Sequence, residues 1–189
     1  MILFVNACVR ERSRSERLAR RLLSALGGEA TELRLEQIAF PLADEAFLRR
    51  RDGLIAAADF QVPMFDLARQ FARADEVVVA APYWDLSFPA ALKQYFEQIN
   101  VTGVTFRYTP EGIPQGLCRA RRLFYVTTAG GPILSDAFGF GYVEALAKGF
   151  YQIPEVRCVK AEGLDIVGAD VEGILRSAEA EIDRLAGRG

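Results

Sequence analysis

Residues 76–100, EVVVAAPYWDLSFPAALKQYFEQIN, decide how the rest of the chain is read. The run from Val77 to Ala81 is apolar, short and bounded by Glu76 and Pro82, the pattern of a strand buried on both faces of a parallel sheet. A helix is expected next. Leu92, Tyr95, Phe96 and Ile99 recur at i, i+3, i+4 and i+7, Lys93, Gln94, Glu97 and Gln98 take the opposite face, and Ser87 and Pro89 supply a start signal. Between strand and helix lies Pro82-Tyr83-Trp84-Asp85-Leu86, at the strand's carboxyl end, where open α/β sheets bind their ligands. Two adjacent aromatics there suit a planar ligand that needs an apolar face close to backbone amides. They equally suit a plug for the end of the core.

The same alternation extends in both directions. Residues 2–8 (ILFVNAC) read as a first strand and 15–26 as a helix, with Leu18, Ala19, Leu22, Leu23 and Leu26 on one face and Gly27-Gly28 to stop it. The intervening loop, Val9-Arg10-Glu11-Arg12-Ser13-Arg14-Ser15, sets hydroxyls and arginines just ahead of a helix N-terminus. Free amides, a favourable dipole and guanidinium groups there are anion-binding chemistry, although a plain N-cap beside solvated arginines has the same composition. Neither GxxxxGK[ST] nor GxGxxG is present. Residues 31–35 alternate as a second strand, 40–60 read only as a helix plus loop, and 63–73 have a helical apolar spacing.

Beyond the central helix, 103–109 alternate and end in a Pro110-Glu111-Gly112 turn, the signature of a hairpin-like excursion or an edge extension. Residues 123–128 (LFYVTT) form a further buried strand that runs into Ala129-Gly130-Gly131-Pro132, where glycine lets backbone approach a ligand or simply turn sharply. A helix of roughly fifteen residues is expected from Ser135 or Asp136. A last strand at 156–161 and a closing helix from Val171 to Leu185, ended by Gly187, complete the chain. Five strands alternating with helices imply one domain, residues 1–189, built on a doubly wound five-stranded parallel sheet of order 2-1-3-4-5 with helices on both faces. That order gathers the loops 9–15, 82–86 and 128–131 around one cleft.

Composition narrows the chemistry. The chain has 51% hydrophobic and 25% charged residues and a formal net charge of −2, so no global field draws it to nucleic acid or an anionic membrane. No apolar run approaches the roughly 18 to 20 residues of a membrane span, and MILFVNAC lacks a basic leader region, so a cytoplasmic location is expected. Three scattered cysteines, Cys8, Cys118 and Cys158, form neither a CxxC pair nor a disulfide framework, and Cys8 draws notice because of its loop. There is no histidine. Its absence removes Ser-His and Cys-His nucleophiles and the common zinc ligand sets, and leaves a bound cofactor as the natural carrier of any reaction.

The stretch APYWDLSFPAALKQYFEQINVTGVTFRYT, followed by TTAGGP and AEGL, resembles the FMN-dependent azoreductases and related NAD(P)H:quinone oxidoreductases of flavodoxin-like fold. The likeness covers essentially the whole chain and is strongest from Val77 to Thr109. It implies that Ser13, Arg14 and Ser15 hold the FMN phosphate and that Pro82, Tyr83, Trp84, Asp85 and Leu86, with Thr128, Ala129, Gly130 and Gly131, hold the ring. Trp84, Phe106 and Tyr108 are then an acceptor shelf. Hydride would pass from NADH or NADPH through the flavin to a quinone or azo acceptor, in a homodimer. Ala7 stands where a serine is usual, Asp85 where asparagine is common, and Ala129 where some members have arginine. A flavodoxin-type electron carrier serving a protein partner is the alternative.

Overall fold

The computed structural model describes residues 1–187. In chain order the elements are β1 (Ile2–Asn6), α1 (Arg14–Leu26), β2 (Ala30–Arg34), α2 (Glu45–Ala56), α3 (Asp66–Arg73), β3 (Glu76–Ala80), α4 (Ala90–Ile99), β4 (Phe106–Tyr108), β5 (Pro114–Gly116), β6 (Arg122–Thr128), α5 (Phe140–Gly149), β7 (Glu155–Ala161) and α6 (Val171–Ala186). The main sheet has the order β2-β1-β3-β6-β7, and every neighbouring pair is parallel. Counting only its own strands, this is the expected 2-1-3-4-5. β4 and β5 pair antiparallel outside it and make the excursion a true hairpin.

Alternation along the strands divides the interior into two layers. Leu3, Val5, Val77, Val79, Leu123 and Tyr125 face the layer covered by α3, α4 and α5, through Phe71, Leu92, Phe96 and Val143. Ile2, Phe4, Val78, Ala80, Phe124 and Val126 face α1 and α6, through Leu18, Leu22, Leu175 and Ile182. Val77, Val78, Val79 and Ala80 are fully buried, as the unbroken apolar run of β3 requires. The buried face of α4 is Leu92, Tyr95, Phe96 and Ile99.

Three local readings shift. β1 ends at Asn6 and not at Cys8, because the Asn6 side-chain oxygen accepts from the Cys8 amide at 3.0 Å and bends the chain. The helix expected from 63 opens as a 3₁₀ turn at Pro63–Phe65 before α3. α5 starts at Phe140 and runs ten residues, not fifteen from Ser135 or Asp136. There the amides of Gly139 and Gly141 both close on the Asp136 carbonyl, and the Ser135 hydroxyl accepts from Ala137, so the would-be first turn is a compact loop. α2 was hard to read because it buries no residue fully; its N-cap is Asp44, which accepts from Phe47 at 2.8 Å, and Leu54 and Ile55 alone in its second half touch the core.

Candidate cofactor site

β1 and β3 are neighbours whose onward connections run to opposite sides of the sheet, so their carboxyl ends open a crevice. Its first wall is the loop leading into α1. Ser13 is the N-cap and accepts from the Glu16 amide at 3.3 Å, while the amides of Arg14 and Ser15 open the helix with no carbonyl of their own to reach. Ser15 is fully buried, and its hydroxyl shares a 2.8 Å hydrogen bond with Thr128, tying the first loop to the end of β6. Arg14 donates to Asp165 at 2.8 Å. Arg10 and Arg12 are exposed and form no ion pair among the described residues.

The second wall is the loop after β3, held by its backbone. The Tyr83 amide donates to the Thr128 carbonyl at 3.0 Å. Trp84 and Ser87 exchange both backbone hydrogen bonds, at 3.0 and 2.7 Å, which leaves Asp85 and Leu86 as the two central residues of a tight turn. Their φ values are +50° and +67°, the pattern of a type I′ turn. Asp tolerates that region, but leucine pays a steric cost there, and such strain collects at functional loops. The Ser87 hydroxyl donates to the Phe138 carbonyl at 2.5 Å and anchors the turn from behind.

The third wall is residues 128–131, clipped to the loop after β7. Leu164 donates to Ala129 at 3.2 Å, Asp165 to Gly130 at 2.9 Å and Gly163 to Gly131 at 3.1 Å. Together the walls enclose a cavity of about 360 Å³. The loop before α1 contributes Val9, Arg10, Arg12, Ser13 and Arg14, the loop after β3 contributes Pro82, Tyr83 and Trp84, and the loops after β6 and β7 contribute Thr128, Ala129, Gly130, Leu164 and Asp165. The α1 side of the lining is thus cationic and polar, and the β3 side aromatic. Beneath Tyr83 lies a cavity of about 10 Å³, the size of one water, around which the Tyr83, Tyr125 and Thr127 side-chain hydroxyls find no partner among the described residues.

Eight of the residues singled out in the sequence line the cavity: Ser13, Arg14, Pro82, Tyr83, Trp84, Thr128, Ala129 and Gly130. Ser15 lies beneath it, and Asp85, Leu86 and Gly131 adjoin the lining without forming it. Trp84 is half-buried. Phe106 and Tyr108 are elsewhere. Phe106 is 5% exposed and stacks on Phe150 at 4.6 Å, while Tyr108 meets it edge-on from the surface. Cys8 is buried as well, and burial pushes its thiol up to about 11, too high for a thiolate nucleophile at neutral pH. Leu164 and Asp165 are the lining residues that sequence reasoning missed. The signal was there: they follow the carboxyl end of the fifth sheet strand, as the other loops follow theirs.

Fold and cavity together define a doubly wound α/β protein with a binding cleft at its switch point. The chain belongs to the family of flavodoxin-like fold, whose model matches residues 1–186. It is 37% identical over 148 residues to the FMN-dependent NADH:quinone oxidoreductase of Lachnoclostridium phytofermentans, covering 74% of this chain and 73% of that protein. FMN-dependent NADH:quinone oxidoreductase 2 of Clostridium acetobutylicum is 46% identical over 115 residues, 58% of this chain and 56% of the relative's length. The chain therefore spans little more than half of that protein. Among solved structures, an azoreductase from Bacillus anthracis superimposes with a TM-score of 0.83 at 26% identity, over 100% of this chain and 99% of the other.

Proposed function

We propose that this chain is an FMN-dependent oxidoreductase that takes electrons from NADH or NADPH and delivers them to a quinone, and to azo compounds as a second acceptor class. The observation that carries this reading is the polarity of the cavity. A flavin mononucleotide joins a ring system to a phosphate, and the lining brings together an aromatic loop and a cationic, polar one. The helix N-terminus at Ser13 and Arg14, with Arg10 and Arg12 free of carboxylate partners among the described residues, fits the phosphate. Pro82, Tyr83 and Trp84 fit the ring, with Thr128 to Gly130 as the backbone edge.

FMN, when bound, would supply the redox chemistry that links a reduced nicotinamide to the acceptor. The residues of this chain bind, orient and exclude water. The N-terminus of α1 would hold the phosphate charge, the clipped 128–131 strip would offer backbone to the ring, and Trp84 would form a wall of the acceptor pocket. No side chain is required as a nucleophile, in keeping with a chain without histidine.

A homodimer with the cleft at its interface is part of the proposal. Leu86, Leu134 and Phe138 are 49%, 76% and 60% exposed, and the Ser87–Phe138 hydrogen bond brings two of their segments together beside Trp84. The purified chain is expected to show flavin absorption, to bleach when NADH or NADPH is added under anaerobic conditions, and to recover colour with a quinone. Flavin that binds but ignores nicotinamide would favour the electron carrier. A colourless protein that takes up no FMN would reject both.

A further inference from the structure

We infer that Asp165 is an internal competitor for the phosphate of the cofactor: in the free chain its carboxylate holds the Arg14 guanidinium, and loading the cofactor breaks that ion pair. The inference rests on the FMN reading above. Arg14 is the first residue of α1 and lines the cavity at its cationic end, so an anion seated on the helix N-terminus lies within its reach. Of the three arginines there, Arg10 and Arg12 form no ion pair among the described residues, whereas Arg14 is already bonded to Asp165 at 2.8 Å.

The carboxylate is kept in place from below. The Asp165 amide donates to the Gly130 carbonyl at 2.9 Å and the Leu164 amide to Ala129 at 3.2 Å, so the backbone of Asp165 is clipped to the cavity wall. A Cβ built on Gly130 would meet Asp165 Oδ2 at 2.4 Å; the carboxylate lies directly over the bare face of that glycine. Its side chain can rotate, but its backbone cannot withdraw without breaking the clip. The arginine and aspartate side chains are 40% and 71% exposed, an ion pair of the weak kind that a phosphate dianion displaces. Once displaced, the carboxylate remains beside a like charge. Asp165 therefore lowers the affinity for FMN specifically through the phosphate and leaves the ring contacts untouched.

Comparison of FMN with riboflavin, which carries the same ring without the phosphate, isolates this effect. Titration of flavin fluorescence into flavin-free wild type and Asp165→Asn is expected to show FMN bound about 3- to 30-fold more tightly by the variant at low salt. Riboflavin affinity should change less than about twofold, since the charge at issue has no partner on it, and the FMN gain should shrink in 1 M salt. In an Arg14→Ala background the same substitution should give a smaller gain. Equal tightening of both flavins, or FMN bound more weakly by Asp165→Asn, would overturn the inference, the latter by making Asp165 an orienting partner of Arg14. If wild type binds FMN and the variant shows no gain, the inference falls while the functional reading stands. If wild type binds neither flavin, both fall.

Discussion

The two ends of the cavity are built by opposite means. The cationic end consists of long, exposed side chains on a loop, with one hydroxyl spent on capping α1 and one guanidinium spent on Asp165. The aromatic end is fixed by main chain: Tyr83 to Thr128, Trp84 to Ser87 and the strip 129–131 to 163–165. The first end draws its strength from charge and weakens with salt; the second draws it from shape and does not. Substitutions at the two ends should therefore fail in different ways, and that difference is open to test.

The largest effect is expected at the charged end. Arg12→Ala combined with Arg14→Ala should weaken FMN binding by about 2 to 4 kcal/mol with the fold intact, because charge-assisted contacts to a phosphate contribute roughly 1.5 to 3 kcal/mol each and these are partly exposed. Isothermal titration checks it, and an unchanged dissociation constant would move the phosphate elsewhere. Pairing Arg14 with Ser15, as the sequence suggests, is a poorer experiment: Ser15→Ala also strips Thr128 of its hydrogen bond and mixes packing with binding.

At the aromatic end Trp84→Ala should act on fit. The half-buried indole lines the cavity, so its loss is expected to change the ratio of kcat/KM for bulky over small quinones by about tenfold, with nicotinamide oxidation affected less. Emission from this single tryptophan should be quenched by bound FMN and return when the flavin is stripped. A loss of about 3 to 5 kcal/mol in stability with flavin-blind fluorescence would return Trp84 to the role of a core plug.

Leu86→Gly tests whether shape alone governs that end. Removing a side chain from φ +67° relieves about 1 kcal/mol, which should raise Tm by roughly 2 to 4 °C without tightening FMN. A fall in Tm would mean that the exposed leucine is held by contacts that outweigh its strain. The smallest effect is expected for Asp85→Asn. The carboxylate sits on the exposed turn outside the lining, so its removal should raise the flavin potential by only about 10 to 20 mV, roughly 1 kcal/mol or less for a two-electron couple. A shift near 100 mV would place Asp85 against the ring.

The sheet was legible because β1, β3 and β6 are apolar runs with nothing to do but be buried and β2 and β7 alternate, and the strand order then places three loops together without any further information. What escaped had weaker physics behind it. β5 is Pro-Gln-Gly, which carries no strand propensity and exists only because β4 is beside it. The start of α5 depends on two amides competing for one Asp136 carbonyl, a contact no periodicity reports. Phe106 and Tyr108 show the limit of reading a hairpin by its neighbours: alternation identifies the strand but not its destination, and Phe150, forty-four residues away, takes the ring.

The charges around the cleft have one more consequence. With no histidine in the chain and Cys8 pushed up to about 11, no imidazole titrates at the cleft and the thiol beside the first loop stays protonated across neutral pH. The second ionisation of a phosphate monoester falls near pH 6. A curve of flavin retention against pH between about 5 and 8 is therefore expected to follow the ionisation of the cofactor's own phosphate.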